Sequence, residues 1–310
     1  MKKILFIGIV LVIGINNLKA QQEIMLSQYM FNGLFINPAY SGTHSYAEAT
    51  GLYRAQWTGF DGAPTTQTFG VDGPISNELM GLGLTFVNDQ LGDTRQTEIF
   101  GNWSYHILLD EAGKNRFSFG LRAGFSAYSA NLTDTKVFDN GDPVFAEDVS
   151  NEFVPKFGAG VYFYSKNWYA GLSVPTIYAA DKNVRFNIND VGDRYFEPHT
   201  YLTAGYVFKA GPDIRIKPSF LIKYLNNTPL QADINCNLLF KNTFWIGASY
   251  RTGDAIIGLL EYNIGTNFRI GYAYDFTTSE LNNYNNGSHE IMLSFKFAKD
   301  PIKTKSPRYF

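Results

Sequence analysis

The side chains able to do acid–base or metal chemistry are few and dispersed. His44, His106, His199 and His289 lie far apart, and none has the carboxylate or cysteine companions that build a metal site. No serine or aspartate stands at a spacing from a histidine that indicates a nucleophile with its base. His289 beside Glu290 reads as a pair at a loop edge rather than an acid–base couple. Gly158-Ala159-Gly160 lacks the third glycine of a dinucleotide fingerprint and falls in a strand. Asp139-Asn140-Gly141-Asp142 has oxygen ligands suited to calcium but not the remaining ligands at loop spacing, so a solvated turn is the better reading. Cys236 is the sole cysteine, which excludes an intrachain disulfide and a thiol metal site and predicts a lipid-facing or buried apolar position. The expectation is a non-enzymatic chain without cofactor or metal. What remains is a set of charges spaced along apolar-patterned segments: Arg54, Arg122, Arg215, Lys217, Lys223, Asp233, Glu261, Arg269, Asp275 and Glu290.

The elements that carry these charges are strands. Phe117, Phe119, Leu121, Ala123, Phe125 and Ala127 alternate with Ser118, Gly120, Arg122, Gly124, Ser126 and Tyr128. A period of two places alternate side chains on opposite faces, as only a β-strand does. The pattern recurs behind an export signal. Lys2 and Lys3 form a basic start, Ile4 to Ile15 an apolar run too short to anchor a helix, and Leu18-Lys19-Ala20 a cleavage site, so the mature chain starts at Gln21. Aromatic residues make up 16% and charged residues 17%, and the net charge of −2 gives no reason to expect nucleic acid. An exported, strand-rich chain with one greasy strand face predicts an all-β, transmembrane antiparallel barrel in the outer membrane.

Alternation and turn residues together place about 14 strands, near 46–60, 65–75, 79–90, 93–107, 115–128, 153–164, 167–175, 197–209, 213–224, 229–241, 243–253, 254–263, 266–276 and 288–298. Every second connection is short: Ser76-Asn77, Asp110 to Lys114, Lys166-Asn167, Gly211-Pro212, Lys241-Asn242 and Gly265-Thr266. These are periplasmic turns, and the long connections 129–152, 176–196 and 277–287 fall outside. Ile291, Leu293, Phe295 and Phe297 face lipid, as do Phe268, Ile270, Tyr272 and Tyr274, while the charges above point inward. Trp57, Trp103 and Trp168 fall toward strand ends as an aromatic girdle. The inward charges read mainly as a polar lumen closed by ion pairs, with a conducting path as the alternative.

Four regions follow: a signal peptide over 1–20, an N-terminal periplasmic or plug-like segment over 21–45, the barrel over 46–298, and a periplasmic tail over 299–310. The segment is aromatic and carries the turn formers Asn37-Pro38 and Ser41-Gly42. Asn37, Pro38, Tyr40 and Gly42, with Arg54, Gln56 and Trp57 on the first strand, are the candidate plug or partner-binding residues. Arg54 and Gln56 are expected to reach inward and Trp57 to anchor at the lipid interface. The tail is basic through Lys299, Lys303, Lys305 and Arg308, and Pro307, Arg308, Tyr309 and Phe310 are candidate docking residues.

Gln28-Tyr29, Asn37-Pro38-Ala39-Tyr40-Ser41-Gly42, Arg54-Ala55-Gln56-Trp57 and Gly62-Ala63-Pro64 in this order resemble the opening of the PorP/SprF family. Gly287-Ser288-His289-Glu290-Ile291 and the terminal Pro307-Arg308-Tyr309-Phe310 resemble the same family, so the resemblance covers the mature chain. Some members carry Cys-Pro before the final Arg-Tyr-Phe where this chain has Ser306-Pro307, and no role of that cysteine transfers. The resemblance implies an outer-membrane component of the type IX secretion system of Bacteroidota, linked in some species to gliding. Its implied partners are periplasmic ring proteins like PorK and PorN, or a secreted surface adhesin. A general porin or hydrophobic-solute transporter is the alternative reading of the same barrel.

Overall fold

The structure is a computed structural model that describes residues 23–76, 78–133, 148–179, 198–226 and 228–297. Residues 1–22, most of the two longest connections, Asp139 to Asp142 among them, and residues 298–310 with Pro307, Arg308, Tyr309 and Phe310 lie outside the described residues.

The strands are β1 (Glu48–Ala55), β2 (Thr65–Ile75), β3 (Met80–Leu91), β4 (Thr94–Leu108), β5 (Arg116–Ala130), β6 (Val149–Tyr164) and β7 (Trp168–Ala179). They continue with β8 (Thr200–Tyr206), β9 (Phe208–Lys209), β10 (Ile214–Tyr224), β11 (Gln231–Phe240), β12 (Phe244–Arg251), β13 (Ala255–Ile264), β14 (Phe268–Thr277) and β15 (Ser288–Lys296). Successive strands pair antiparallel, except that β8 and β9 both pair with β10, and the ring closes through β1 and β15, with Arg54 opposite Glu290 and Glu48 opposite Lys296. Closure satisfies every edge, which is what a strand-built membrane protein requires.

β8 and β9 are two parts of the eighth strand expected over 197–209, so the closed barrel has fourteen strands. The interruption has a local cause. Pro218 lies in β10 between the stretches that pair with β8 and with β9, and without an N–H it cannot donate to the ladder there. The Val207 N–H donates instead to Asn167 O at 2.7 Å, in the neighbouring turn. A second irregularity shifts the β6–β7 register between Phe157 and Ala159, and Gly158 accepts it because a Cβ there would overlap the Pro175 carbonyl.

Face alternation holds around the ring. On β5, Phe119, Leu121, Ala123 and Phe125 are exposed on the outside while Ser118, Gly120, Arg122 and Ser126 are buried inside. Ile291, Leu293, Phe295 and Phe297 are likewise exposed. Cys236 is exposed on the outer face of β11, beside Ile234. The short connections gather at one end, where β1 begins and β15 stops, and the long ones at the other.

Trp57 departs from expectation. β1 stops at Ala55, so Gln56 and Trp57 are not on the first strand. The Gln56 N–H closes onto Pro64 O at 2.9 Å, and Trp57 takes a left-handed φ of 49° with its N–H donated to Ser288 Oγ. The chain has already turned into the β1–β2 connection.

Candidate functional site

The inward faces of the strands meet residues 23–47, which run through the lumen from the long-loop end toward the short-turn end. Three single turns of 3-10 helix, Tyr29–Phe31, Gly33–Phe35 and Pro38–Tyr40, make this segment compact. Asn37 opens the third turn: its Oδ1 accepts from Ala39 N at 2.9 Å, and Pro38 supplies a pre-set φ at the first position. The other end of the same amide, Nδ2, donates to the β6 carbonyl of Val161 at 3.0 Å. Tyr40 is buried, with its hydroxyl 2.8 Å from His44 Nε2 and its ring edge-on to Tyr162. Gly42 has φ 66°, and its N–H donates to Asp72 Oδ2 on β2 at 2.8 Å. A side chain at Gly42 would meet Gly81 of β3, so the left-handed turn and the close approach both require glycine.

The wall reaches back from most of the circumference. Ser104 on β4 donates to Ser41 O, Ser118 on β5 to Ala39 O, and Ser173 on β7 to Ile36 O, at 2.6–2.8 Å. Arg122 on β5 donates to Phe35 O, and Lys217 on β10 to Met30 O at 3.1 Å. Asn235 on β11 binds the Tyr29 hydroxyl, and Tyr201 on β8 binds Glu23. Segment backbone groups that water would otherwise satisfy are thus paired with wall side chains.

Toward the long-loop end the contacts become ionic. Arg54 on β1 lies 2.7 Å from Asp275 of β14 and 3.3 Å from Glu290 of β15, and also donates to Ser27 Oγ at 2.8 Å. Glu290 accepts the Ser27 and Gln28 N–H groups, one on each carboxylate oxygen, at 2.8 and 2.7 Å. Ser27 Oγ donates to Asp275. Arg251 at the end of β12 pairs with Asp233 at 3.0 Å, approaches Asp275 at 3.5 Å and donates to Leu26 O. Two arginines therefore share three buried carboxylates, and the segment backbone completes the network. A second group joins Arg269 to Glu48 at 2.6 Å and to Glu261 at 3.6 Å nearer the short-turn end. Lys156 of β6 pairs with Glu98 of β4.

Apolar contacts reinforce these bonds. Leu26, Tyr29, Met30 and Phe31 pack against Leu52, Leu239, Trp245, Ile257, Leu259 and Met292 from the wall. Phe31 meets Trp245 edge-on with ring centres 5.6 Å apart, and Lys217 Nζ stands 5.1 Å from the Phe31 ring. Each large apolar side chain buried in this way is worth about 1.5–3 kcal/mol. Beside the segment and toward the long-loop end, a cavity of about 410 Å³ remains, lined by Glu98, Arg122, Lys156, His199, Tyr201 and Lys223 of the wall and by Glu23, Leu26, Tyr29 and Phe35 of the segment among others.

Of the residues expected to act with the segment, Asn37, Pro38, Tyr40, Gly42 and Arg54 come together in the lumen. Gln56 and Trp57 do not. Of the ten charges expected inside, Arg54, Arg122, Lys217, Asp233, Glu261, Asp275 and Glu290 are buried. Arg215 sits at the short-turn rim, its Nε 3.4 Å from Asn242 Oδ1. Arg251, Glu98 and Lys156 were not anticipated, although each shares a strand face with inward polar residues. His289 and Glu290 point to opposite faces, and His289 contacts the Tyr272 hydroxyl at 2.7 Å on the exterior. Ser104 and His106 lie 3.1 Å apart, but the serine hydroxyl is committed to Ser41 O and the histidine also contacts Tyr164.

Compared with known sequences, residues 18–295 match the family described as type IX secretion system membrane protein PorP/SprF. The chain belongs to this family. No curated protein matches it. Among solved structures, it is similar to the Acinetobacter baumannii outer membrane protein Omp33, at 10% identity and TM-score 0.44 over 83% of this chain and 100% of that one. It is similar also to a Pseudomonas aeruginosa FadL homologue, at 9% identity and TM-score 0.46 over 85% and 93%, and to the P. putida toluene transporter TodX, at 9% and 0.45 over 86% and 94%. The PorP/SprF chain is thus a multi-pass β-barrel of the outer membrane, its exposed apolar face the one that meets lipid.

Proposed function

We propose that this PorP/SprF protein is a closed, non-enzymatic barrel that serves type IX secretion as a holder rather than a conduit. It docks the periplasmic machinery, in the manner of PorK and PorN partners, or supports export and surface attachment of an adhesin. The observation that carries the reading is the bonding of residues 23–47 to inward groups of most of the strands, the arrangement expected of a plug. A barrel so filled offers its two ends, not its lumen, to partners. In this reading residues 21–45 are the plug, the long connections near 129–152 and 176–196 meet the exported partner, and the tail with Pro307, Arg308, Tyr309 and Phe310 docks in the periplasm.

Crosslinking in the native membrane, followed by identification of co-purified proteins, tests the proposal. A ring lipoprotein supports the machinery role and a very large surface protein the adhesin role. Recovery of neither, from a barrel at normal abundance, contradicts both. The cavity of about 410 Å³ at the long-loop end favours a second reading, a porin or hydrophobic-solute transporter. Conductance separates the two.

A further inference from the structure

The short-turn rim is electrically lopsided. Lys166 lies in the β6–β7 turn, Lys209 on β9, Arg215 on β10 and Lys241 in the β11–β12 turn. These positions are contiguous: Val207 N donates to Asn167 O, and Lys241 N donates to Asp213 O. Lys166, Lys209 and Lys241 are exposed, and among the described residues none of the three makes an ion pair. Asp213 is the acid interleaved with them. In the short turns that continue the rim beyond Lys166, Glu78 pairs with Arg116 at 3.0 Å, and Asp110 and Glu111 stand beside Lys114.

One pairing inside the basic arc works against the free protein. Lys209 and Arg215 are directly opposite in the β9–β10 register, and cross-strand partners share a face. Like charges so placed destabilise a sheet. A partner with negative charge would relieve that repulsion. The pair shares the lumen-side face of Lys217, and Lys166 and Lys241 stand at turn tips, so the arc faces out of the barrel mouth rather than into lipid. The chain's own tail is an unsuitable occupant, because Lys299, Lys303, Lys305 and Arg308 give it the same sign.

We infer that the arc of Lys166, Lys209, Arg215 and Lys241 is a docking surface for an acidic protein segment at the periplasmic mouth of the barrel. The inference rests on the reading above for which end meets the machinery, and it adds the chemistry of the partner. Screened contacts at three exposed lysines sum to roughly tenfold in affinity, and the interaction weakens with salt.

The test uses the full-length barrel in nanodiscs of neutral lipid and a fluorescent twelve-residue glutamate peptide as probe. Wild type binds the peptide, and the triple variant K166Q/K209Q/K241Q binds roughly tenfold more weakly. The control D110N/E111Q/K114Q, in the neighbouring β4–β5 turn, binds the peptide no more weakly than wild type. K209Q alone binds more weakly while the free barrel melts at or above the wild-type temperature, because a like-charge neighbour of Arg215 is gone. Equal affinity of the triple variant and wild type overturns the inference. So does a wild-type barrel that ignores the peptide yet retains phosphatidylglycerol through the same lysines, which would make the arc a lipid contact. These outcomes do not depend on whether the lumen conducts, so the inference and the closed-barrel reading fail separately.

Discussion

Arg54 is the residue on which most of the lumen network converges, since it touches Asp275, Glu290 and Ser27 at once. Removing it leaves two buried carboxylates short of their counter-ion, a loss of about 3–5 kcal/mol for a broken buried pair. Arg251 at 3.5 Å from Asp275 offsets part of this. Arg54→Ala should therefore unseat residues 24–31 without unfolding the barrel, seen as faster amide exchange and protease cleavage there. Unchanged protection would contradict the role assigned to Arg54. Gly120 is a second lever: a Cβ on it would overlap the Ala39 backbone. Gly120→Val should destabilise the seated segment by about 1–3 kcal/mol through overpacking, read as the same exchange at residues 36–42. Arg54 could be placed from sequence because it sits on an alternating strand, and Asn37-Pro38 because its turn chemistry is local. Arg251 was harder to see, since it is the last residue of its strand, where turn and strand signals overlap. Gln56 and Trp57 lie past the end of β1, and for a related reason: an aromatic continuation of the strand pattern masks where β1 stops.

At the scale of elements, alternation fixed faces and register around most of the ring, because a one-residue slip would turn every apolar side chain inward. It is weakest on β13, where Ala255, Ile257 and Leu259 face inward and Ile256 and Leu260 outward, so both faces are apolar. The inner set packs on the N-terminal segment, a tertiary partner that no local pattern announces. The break between β8 and β9 was in principle legible, since it follows from Pro218 on the facing strand, but only once the register is known. The β4–β5 turn carries its own prediction. Asp110 accepts the N–H groups of Lys114 and Asn115, each at 2.8 Å, and these bonds hold its carboxyl below the ordinary carboxylate range. A depressed value means that the carboxylate supports the turn in full above the ordinary value of about 4 and loses that support as pH falls through the depressed one. Amide exchange at Lys114 and Asn115 should accelerate, relative to its intrinsic rate, only on acidification into that range. Asp110→Asn should flatten the dependence.

The whole molecule is a barrel whose lumen is occupied by residues 23–47 of its own chain, and under the proposed function its ends are what partners meet. Loop asymmetry and strand count were enough to anticipate the architecture, while the path of the segment was not. Residues 37–42 stay in the short-turn half, but the segment reaches back until Glu23 stands beside Tyr201, near the long-loop end. That path depends on contacts from strands far apart in sequence. At this scale, deleting residues 301–310 should leave barrel assembly and abundance intact while reducing secretion or co-purification of the partner. Normal secretion at normal abundance would exclude a docking tail, and failed assembly would make the tail part of the folding signal. The central claim is closure, and conductance of the purified full-length barrel in planar bilayers tests it most directly. Closure predicts a silent barrel, without a large steady open state; a large, steady open conductance from the intact, folded protein would contradict it.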